Sequence, residues 1–301
     1  MMILPERVRV VEVGPRDGFQ NLPPITTEIK YQIISEMIEA GVREMEVTSF
    51  VNPKAIPQMA DAKELATRVV SDFGNGPHLK LIALVPNLRG AQSALECGIN
   101  TVSFVISASE QHNLKNVRKT PAESMADLKQ LLTEEPDLKV RLDLATAFGC
   151  PFLGPVPEEM VMAMAAEAAE AGVIEIILCD TIGIGHPAQV FSLAQKALKL
   201  GIPIGLHLHD TRGLGLANTL AGLQAGVSMF ETSVAALGGC PFAPGASGNT
   251  ATEDLLNMLS ALNIDTGISM ERYLKAVDLV IKDVLSSAGG HLAKVPLAAC
   301  A

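Results

Sequence analysis

Eight segments of the chain have the composition of buried β-strands, and each is followed by a segment with helical periodicity. The candidate strands are residues 8–13, 44–48, 80–85, 101–106, 139–145, 174–179, 204–209 and 229–234. Strands that alternate with helices in this way form βαβ units and a parallel sheet. Eight units close a (β/α)8 barrel, which takes roughly 250 residues. We therefore predict an α/β protein with the TIM-barrel fold within this chain of 301 residues.

No low-complexity linker divides the sequence, which predicts a single domain over residues 1–301. We expect the barrel to occupy approximately residues 8–262 and a C-terminal helical extension to occupy residues 263–301, because residues 270–286 have the pattern of an additional helix. The sequence Thr250-Ala251-Thr252-Glu253 has capping-box spacing before an apolar helical stripe. The alternative fold is an open, doubly wound sheet, but its G-x-G-x-x-G motif is missing after the first strand.

Composition restricts the protein's partners and location. The net charge of −10 argues against a general nucleic-acid partner, because neutralising phosphates requires a basic face. No apolar run reaches the roughly 18 residues that span a bilayer, so we expect no membrane partner. The five cysteines are odd in number and show no C-x-x-C spacing, which favours a reducing, cytoplasmic location. Aromatic residues make up 4% of the chain, which predicts an aliphatic core of layered Val, Ile and Leu.

Two histidines end the seventh candidate strand, in the sequence Leu206-His207-Leu208-His209-Asp210. Because strand side chains alternate between faces, His207 and His209 point the same way, about 7 Å apart along the strand. Two imidazoles on one face supply half of a metal site. In the alternative interpretation the pair is buried and hydrogen-bonded without a metal.

Other polar residues follow other strands, and barrel enzymes place their chemistry at the carboxyl ends of the strands. Asp17 follows the first strand, and Asn249 closes a glycine-rich loop after the eighth. Together with His207 and His209, they would form a mixed set of oxygen and nitrogen ligands. Such a set suits Mg²⁺ or Mn²⁺, and the imidazoles are also compatible with Co²⁺ or Zn²⁺.

The remaining candidate residues have chemistry that fits the same barrel mouth. Arg16 lies beside Asp17 and would stabilise a developing oxyanion or enolate. Glu46 lies within an apolar strand and needs a partner, for which Arg16 is the candidate. Asp180 either orients a ligand histidine or caps the next helix. Cys240, in a loop rich in glycine, has the position of an acid or base.

Five longer motifs contain these residues. Residues 11–21 read VEVGPRDGFQN, and residues 46–59 read EVTSFVNPKAIPQM. Residues 180–183 read DTIG, residues 207–213 read HLHDTRG, and residues 234–249 read VAALGGCPFAPGASGN. Together they resemble the 3-hydroxy-3-methylglutaryl-CoA (HMG-CoA) lyase family, within the metal-dependent lyase and synthase barrels. The last motif is the most discriminating, because related synthases carry a different loop there.

The resemblance, which extends from Val8 to Asp254, implies retro-Claisen cleavage of (S)-HMG-CoA to acetoacetate and acetyl-CoA. It implies a homodimer, a role in leucine degradation or ketone-body formation, enolate stabilisation by Arg16 and proton transfer by Cys240. The divalent cation, Mg²⁺ or Mn²⁺, would be held by Asp17, His207, His209 and Asn249. The candidate catalytic residues are Arg16, Asp17, Glu46, Asp180, His207 and Cys240. The candidate phosphate partners of the CoA group are Lys54, Arg89, Lys115, Arg118 and Lys119.

Other functions remain open at this stage. A Claisen-type synthase of the isopropylmalate, citramalate or homocitrate type would join acetyl-CoA to a 2-keto acid. It would share Arg16, Asp17 and the two histidines, but would not require the Cys240 loop. Residues 145–152 differ from the family's usual strand end, which leaves a lyase for a longer 3-hydroxy-3-alkylglutaryl-CoA as an alternative. A pyruvate-forming aldolase and an inactive regulatory subunit are further alternatives, and the intact residue set argues against the last.

Overall fold

A computed structural model describes residues 4–239, 248–285 and 289–295. Eight parallel strands close into a barrel in sequence order, with β8 pairing with β1, which confirms the predicted TIM-barrel fold. The strands are β1 (Arg9–Glu12), β2 (Glu44–Ser49), β3 (Lys80–Leu84), β4 (Thr101–Ser107), β5 (Lys139–Ala145), β6 (Glu175–Asp180), β7 (Ile204–Leu208) and β8 (Met229–Thr232). The predicted strands differ from these by at most two residues at either end.

Helices connect the strands and surround the barrel. They are α1 (Thr27–Glu39), α2 (Ala62–Phe73), α3 (Leu88–Glu96), α4 (Glu110–Val117), α5 (Pro121–Glu134), α6 (Glu158–Ala171), α7 (Pro187–Ala197), α8 (Gly215–Ala225), α9 (Thr252–Ala261) and α10 (Met270–Asp283). The last is the predicted additional helix, and it packs against α1. Within the described ranges, no helix combines the length and the apolar character needed to cross a membrane. The division into barrel and extension near residue 262 stays a prediction.

The first helix shows how local sequence sets an element. The Thr26 hydroxyl accepts a hydrogen bond from the Ile29 amide at 3.3 Å, so Thr26 is the N-cap. Ile33, Ile34 and other apolar residues bury one face of the helix. After the helix, Gly41 has a φ of +107°, a conformation that glycine adopts without strain. The chain then turns into β2.

The core is aliphatic between the barrel and its helices but not inside the barrel. The interior contains a small apolar cluster that includes Val11, Ile82 and Ile177. Charged side chains are buried beside it, and Arg141 donates to Glu231 across the barrel at 2.5 Å. The expectation of aliphatic layers throughout is therefore wrong for the barrel interior, where ion pairs replace part of the apolar packing.

The predicted capping box at Thr250 is wrong as well. Helix α9 begins at Thr252 with Ala251 as its N-cap and no capping side chain. The Thr250 hydroxyl instead donates to the Leu208 carbonyl at 2.8 Å, and the Glu253 carboxylate accepts from the Ala235 amide at 3.1 Å. These tertiary bonds outcompete the local cap, and they fix the segment that follows Asn249 to β7 and to the turn after β8.

Candidate active site

Arg16 and Asp17 lie on a single helical turn, Gly14–Gly18, which begins directly after β1. The Arg16 guanidinium donates from Nη1 to Asp17 Oδ1 at 2.7 Å and from Nε to Glu46 Oε2 at 2.6 Å. The second bond confirms the predicted pairing of Glu46 with Arg16. Both side chains of this pair are buried. The guanidinium is therefore held rigidly at the barrel mouth by two carboxylates.

His207 lies in β7 and His209 directly follows the strand, and both side chains are buried and point to the same side. Their Nε2 atoms lie 3.1 Å apart. On the far side of the ring, the Nδ1 atom of His207 is 2.9 Å from Glu231 Oε2. A carboxylate at that position holds a proton on Nδ1, which leaves the lone pair of Nε2 available as a ligand.

These side chains form a group that fits a divalent cation. Asp17, His207 and His209 each offer one ligand atom, and the three atoms lie within 4.8 Å of one another. The Asn249 amide donates to Asp17 Oδ2 at 2.7 Å, while its Oδ1 atom is buried without a hydrogen-bond partner. Because an unpaired buried acceptor is costly, the free Oδ1 atom fits the predicted role of Asn249 as a ligand. The four predicted ligands therefore lie together, and their donor atoms suit a divalent metal ion.

Electrostatics favours the ligand forms of Asp17 and His209, but not that of His207. Burial opposes ionisation of Asp17, but Arg16 and the two imidazoles outweigh it and lower the pKa of Asp17 to about 2. Burial, together with the neighbouring His207, lowers the pKa of His209 to about 3. An ionised carboxylate and a neutral imidazole are the forms that bind metals. Burial also lowers the pKa of His207, but the hydrogen bond and charge of Glu231 raise it above its ordinary value.

A cavity of about 790 Å³ opens over these residues at the carboxyl ends of the strands. Arg16, Asp17 and both histidines form part of its wall, and it extends past β3 and β4 to Lys119. Pockets of this volume accommodate small-molecule ligands. The arrangement combines a set of metal ligands with a fixed guanidinium in one enclosed space.

A family model described as HMGL-like matches residues 7–280, which is most of the chain. The chain belongs to the HMGL-like family. Among curated relatives, the hydroxymethylglutaryl-CoA lyase YngG of Bacillus subtilis is 44% identical over 91% of this chain and 92% of its own length. The mitochondrial hydroxymethylglutaryl-CoA lyase of Rattus norvegicus is 41% identical over 93% of this chain and 86% of its own length.

Solved structures of HMGL-like proteins have the same fold. The crystal structure of the Bacillus subtilis HMG-CoA lyase matches with a TM-score of 0.91 and 41% identity, covering 97% of this chain and 99% of that one. The Acinetobacter baumannii HMG-CoA lyase, solved with coenzyme A and 3-methylmalate, matches with a TM-score of 0.91 and 36% identity, covering 98% and 97%.

The structure separates the five candidate phosphate partners of this HMGL-like protein. Lys119 lines the cavity, where it also pairs with Asp127. Lys54, Arg89 and Arg118 are exposed and are not part of the cavity wall. Lys115 is also exposed, and its ammonium lies 3.6 Å from the centre of the Phe152 ring. Lys119 is therefore the candidate that the geometry favours.

Asp180, another predicted catalytic residue, hydrogen-bonds within its own loop. The Asp180 carboxylate accepts from the Ile184 and Gly185 amides at 3.0 Å each, so its hydrogen bonds organise its own loop rather than a histidine. Burial raises the pKa of Asp180 to about 6, although the hydrogen bonds from these amides lower it. Its catalytic role stays a prediction. Cys240 lies outside the described residues.

Sequence reasoning missed two buried carboxyl groups of the site. Glu231 in β8 contacts His207, and Asp143 in β5 lines the cavity. Both were detectable by a signal like that of Glu46, a carboxylate beside apolar residues in a strand: Phe230 precedes Glu231, and Leu142 and Leu144 flank Asp143. A single carboxylate in a strand, however, indicates only that a partner exists and does not identify the partner residue.

Proposed function

We propose that the protein cleaves (S)-HMG-CoA to acetoacetate and acetyl-CoA with Mg²⁺ or Mn²⁺ as its cofactor. The relatives from Bacillus subtilis and Rattus norvegicus support this function, because both are named as lyases of this substrate. The Acinetobacter baumannii lyase complex supports an acyl-CoA partner, because that protein binds coenzyme A. The cytoplasmic location, the homodimer and the leucine-degradation role stay predictions.

One observation carries the proposal: the ligand group and the Arg16 guanidinium lie side by side. Asp17 connects them, because its Oδ1 atom accepts from Arg16 and its Oδ2 atom accepts from Asn249. Retro-Claisen cleavage requires two kinds of stabilisation at neighbouring positions. One acts on the tertiary alkoxide, and the other acts on the enolate that leaves.

Asp17, His207, His209 and Asn249 hold the cofactor in this proposal. When bound, a divalent cation would lower the pKa of the substrate's tertiary hydroxyl and attract the substrate's carboxylate. The hydroxyl proton passes to solvent water in the cavity, the oxygen becomes the ketone of acetoacetate, and the bond between C2 and C3 breaks. The electron pair moves into the thioester, which becomes the enolate of acetyl-CoA.

Arg16 then stabilises the enolate oxygen. Its position is fixed by Glu46 and Asp17, so no reorganisation is required when the charge develops. Burial lowers the pKa of the guanidinium, but the surrounding carboxylates raise it above its ordinary value, so the group is always charged. In the proposal, Cys240 delivers a proton to C2 of the enolate, which completes acetyl-CoA.

Product analysis tests this function against its alternatives. Purified protein is incubated with Mg²⁺ and each enantiomer of HMG-CoA, and acetoacetate and acetyl-CoA are measured by chromatography. We expect both products in equal amounts from the S enantiomer. Activity with a longer 3-hydroxy-3-alkylglutaryl-CoA and none with HMG-CoA would contradict the substrate. Condensation of acetyl-CoA with a 2-keto acid, without cleavage, would establish a synthase instead.

A further inference from the structure

Asp143 is a buried carboxyl group at the barrel mouth that the proposed mechanism does not use. It lies on β5, four strands from β1 in either direction around the closed barrel. Its side chain is 4% exposed and lines the same cavity as Arg16 and His207. Its Oδ1 atom has no hydrogen-bond partner. An unpaired buried carboxyl group in a substrate cavity requires a physical explanation.

The cations near Asp143 are already bound to other carboxylates. Arg16 pairs with Asp17 and Glu46, and Arg141 pairs with Glu231. Among the described residues, no ion pair includes Asp143. On the neighbouring strands, Val105 and Ile177 occupy the paired positions, so its lateral neighbours are apolar.

These surroundings favour the neutral acid over the carboxylate. Burial raises the pKa of Asp143 well above its ordinary value, and the charges of Glu231 and Glu46 raise it further. The charges of Arg141 and Arg16 lower this pKa but do not outweigh those effects. The Cys179 thiol also lies near this group, and burial raises the pKa of the thiol, so Cys179 stays neutral and adds no charge. A neutral carboxylic acid is a hydrogen-bond donor, whereas a carboxylate only accepts.

We propose that Asp143 is a catalytic residue that donates a hydrogen bond from its carboxylic acid to the thioester oxygen of the substrate. The inference rests on the proposed function, in which the metal site takes the substrate's hydroxyl and carboxylate, and Arg16 takes the enolate oxygen. That oxygen is the thioester oxygen, and its second lone pair can accept from Asp143, which lies close enough to Arg16 to feel its charge. Negative charge develops on that oxygen as the enolate forms. A carboxylate at this position would repel that charge. A neutral acid instead donates a hydrogen bond that strengthens as the charge grows.

Two uncharged substitutions test the donor. Asp143→Asn keeps an N–H donor, and Asp143→Leu removes it. We expect the Leu variant to lose roughly 10²–10³-fold in kcat with KM within a few-fold, and the Asn variant to keep most of its activity. Equal losses in both variants, or a Leu variant with wild-type kcat, would overturn the donor role. Metal affinity and the thermal melting temperature serve as controls for folding. We expect both to be unchanged in the two variants, and a change in either would indicate a folding defect.

A second reaction separates this inference from the proposed function. Enolisation of acetyl-CoA exchanges its methyl protons with deuterated solvent and needs the thioester oxygen but not HMG-CoA. NMR measures this exchange. We expect the wild type and the Asn variant to exchange the protons, and we expect the exchange rate of the Leu variant to fall by the same factor as its cleavage rate. Exchange without cleavage of HMG-CoA would contradict the proposed function alone. No exchange in the wild type would overturn the role of Asp143.

Infrared spectroscopy tests the protonation state without any turnover. The difference spectrum between substrate-free wild type and Asp143→Asn at pH 7 isolates the carboxyl band of this one residue. We expect the stretching band of a protonated carboxyl group in the wild type. A carboxylate band in its place would overturn the inference.

Discussion

The Nδ1 atom of His207 lies 2.9 Å from the Oε2 atom of Glu231, and the other carboxylate oxygen of Glu231 accepts from Arg141. Burial raises the pKa of Glu231, but Arg141 and His207 outweigh the effect of burial and lower this pKa to about 2. Glu231 is therefore an ionised group that orients His207, a predicted metal ligand. The barrel interior thus contributes directly to the site at its mouth.

Glu231→Gln removes this charge while it keeps the shape of the side chain. We expect the affinity for Mn²⁺, measured by calorimetry, to fall about 10–100-fold, because the partner of a metal-binding histidine sets its orientation and basicity. Glu175→Gln is the matched control, since Glu175 pairs with Arg141 without contacting a histidine. Equal metal affinities in both variants would contradict the orienting role.

Arg16→Gln separates enolate stabilisation from substrate binding. We expect kcat to fall roughly 10²–10³-fold while KM changes only a few-fold, because the interaction strengthens as charge develops. Arg68→Gln is the control, since Arg68 is a surface residue paired with Glu28 and should leave both constants unchanged. Proportional losses in binding and turnover would assign Arg16 to binding instead.

Tyr273 on α10 connects the additional helix to the site. Its hydroxyl donates to Glu12 Oε2, while Glu12 Oε1 accepts from the amides of Gly14 and Val234, so one carboxylate joins the turns after β1 and β8. We expect Tyr273→Phe to lower the free energy of unfolding by about 1–3 kcal/mol, because it removes a donor to a buried acceptor. A denaturant titration measures this change.

Tyr31→Phe is the control for that prediction. Tyr273 and Tyr31 are the two tyrosines of the chain, and the Tyr31 hydroxyl donates to Asp72 at the surface. Exposed hydrogen bonds contribute little to stability, so this variant should unfold like the wild type. A loss of the same size in both variants would show that burial of the Glu12 contact has no special effect.

The stability of the fold should depend on the ionisation of Glu253. Burial raises its pKa to about 8 from an ordinary value of 4.5. Between these values the folded state binds a proton that the unfolded state has released, so this group's contribution to stability is lost as the pH rises. Glu253→Gln mimics the neutral acid. We expect its melting temperature to equal that of the wild type at pH 5 and to exceed it at pH 9. A constant difference across this range would contradict the shift.

The barrel and most of the site were predictable from the sequence because both depend on simple rules. Alternating strand and helix patterns predict the closed parallel sheet, and its geometry brings strand ends together. Asp17 and His207 could therefore be assigned to one site although 190 residues separate them. The pairing of Glu46 with Arg16 followed from the cost of burying a lone carboxylate.

Contacts across the barrel interior were not predictable in the same way. Which interior residues meet, such as Arg141 and Glu231, depends on strand register and tilt, which no local pattern contains. Thr250 shows a second limit, because its spacing indicates a helix cap while the folded chain offers the Leu208 carbonyl instead. Local propensity is a weak prior when a tertiary partner competes.

The most direct test of the account is the rate of acetyl-CoA release from (S)-HMG-CoA after chelation of metal. Wild type and Asp17→Asn are stripped with EDTA and then titrated with Mg²⁺ or Mn²⁺. We expect no release from stripped enzyme, full recovery of the wild type with saturating metal, and an Asp17→Asn enzyme that requires far more metal. Undiminished release from metal-free wild type would contradict it.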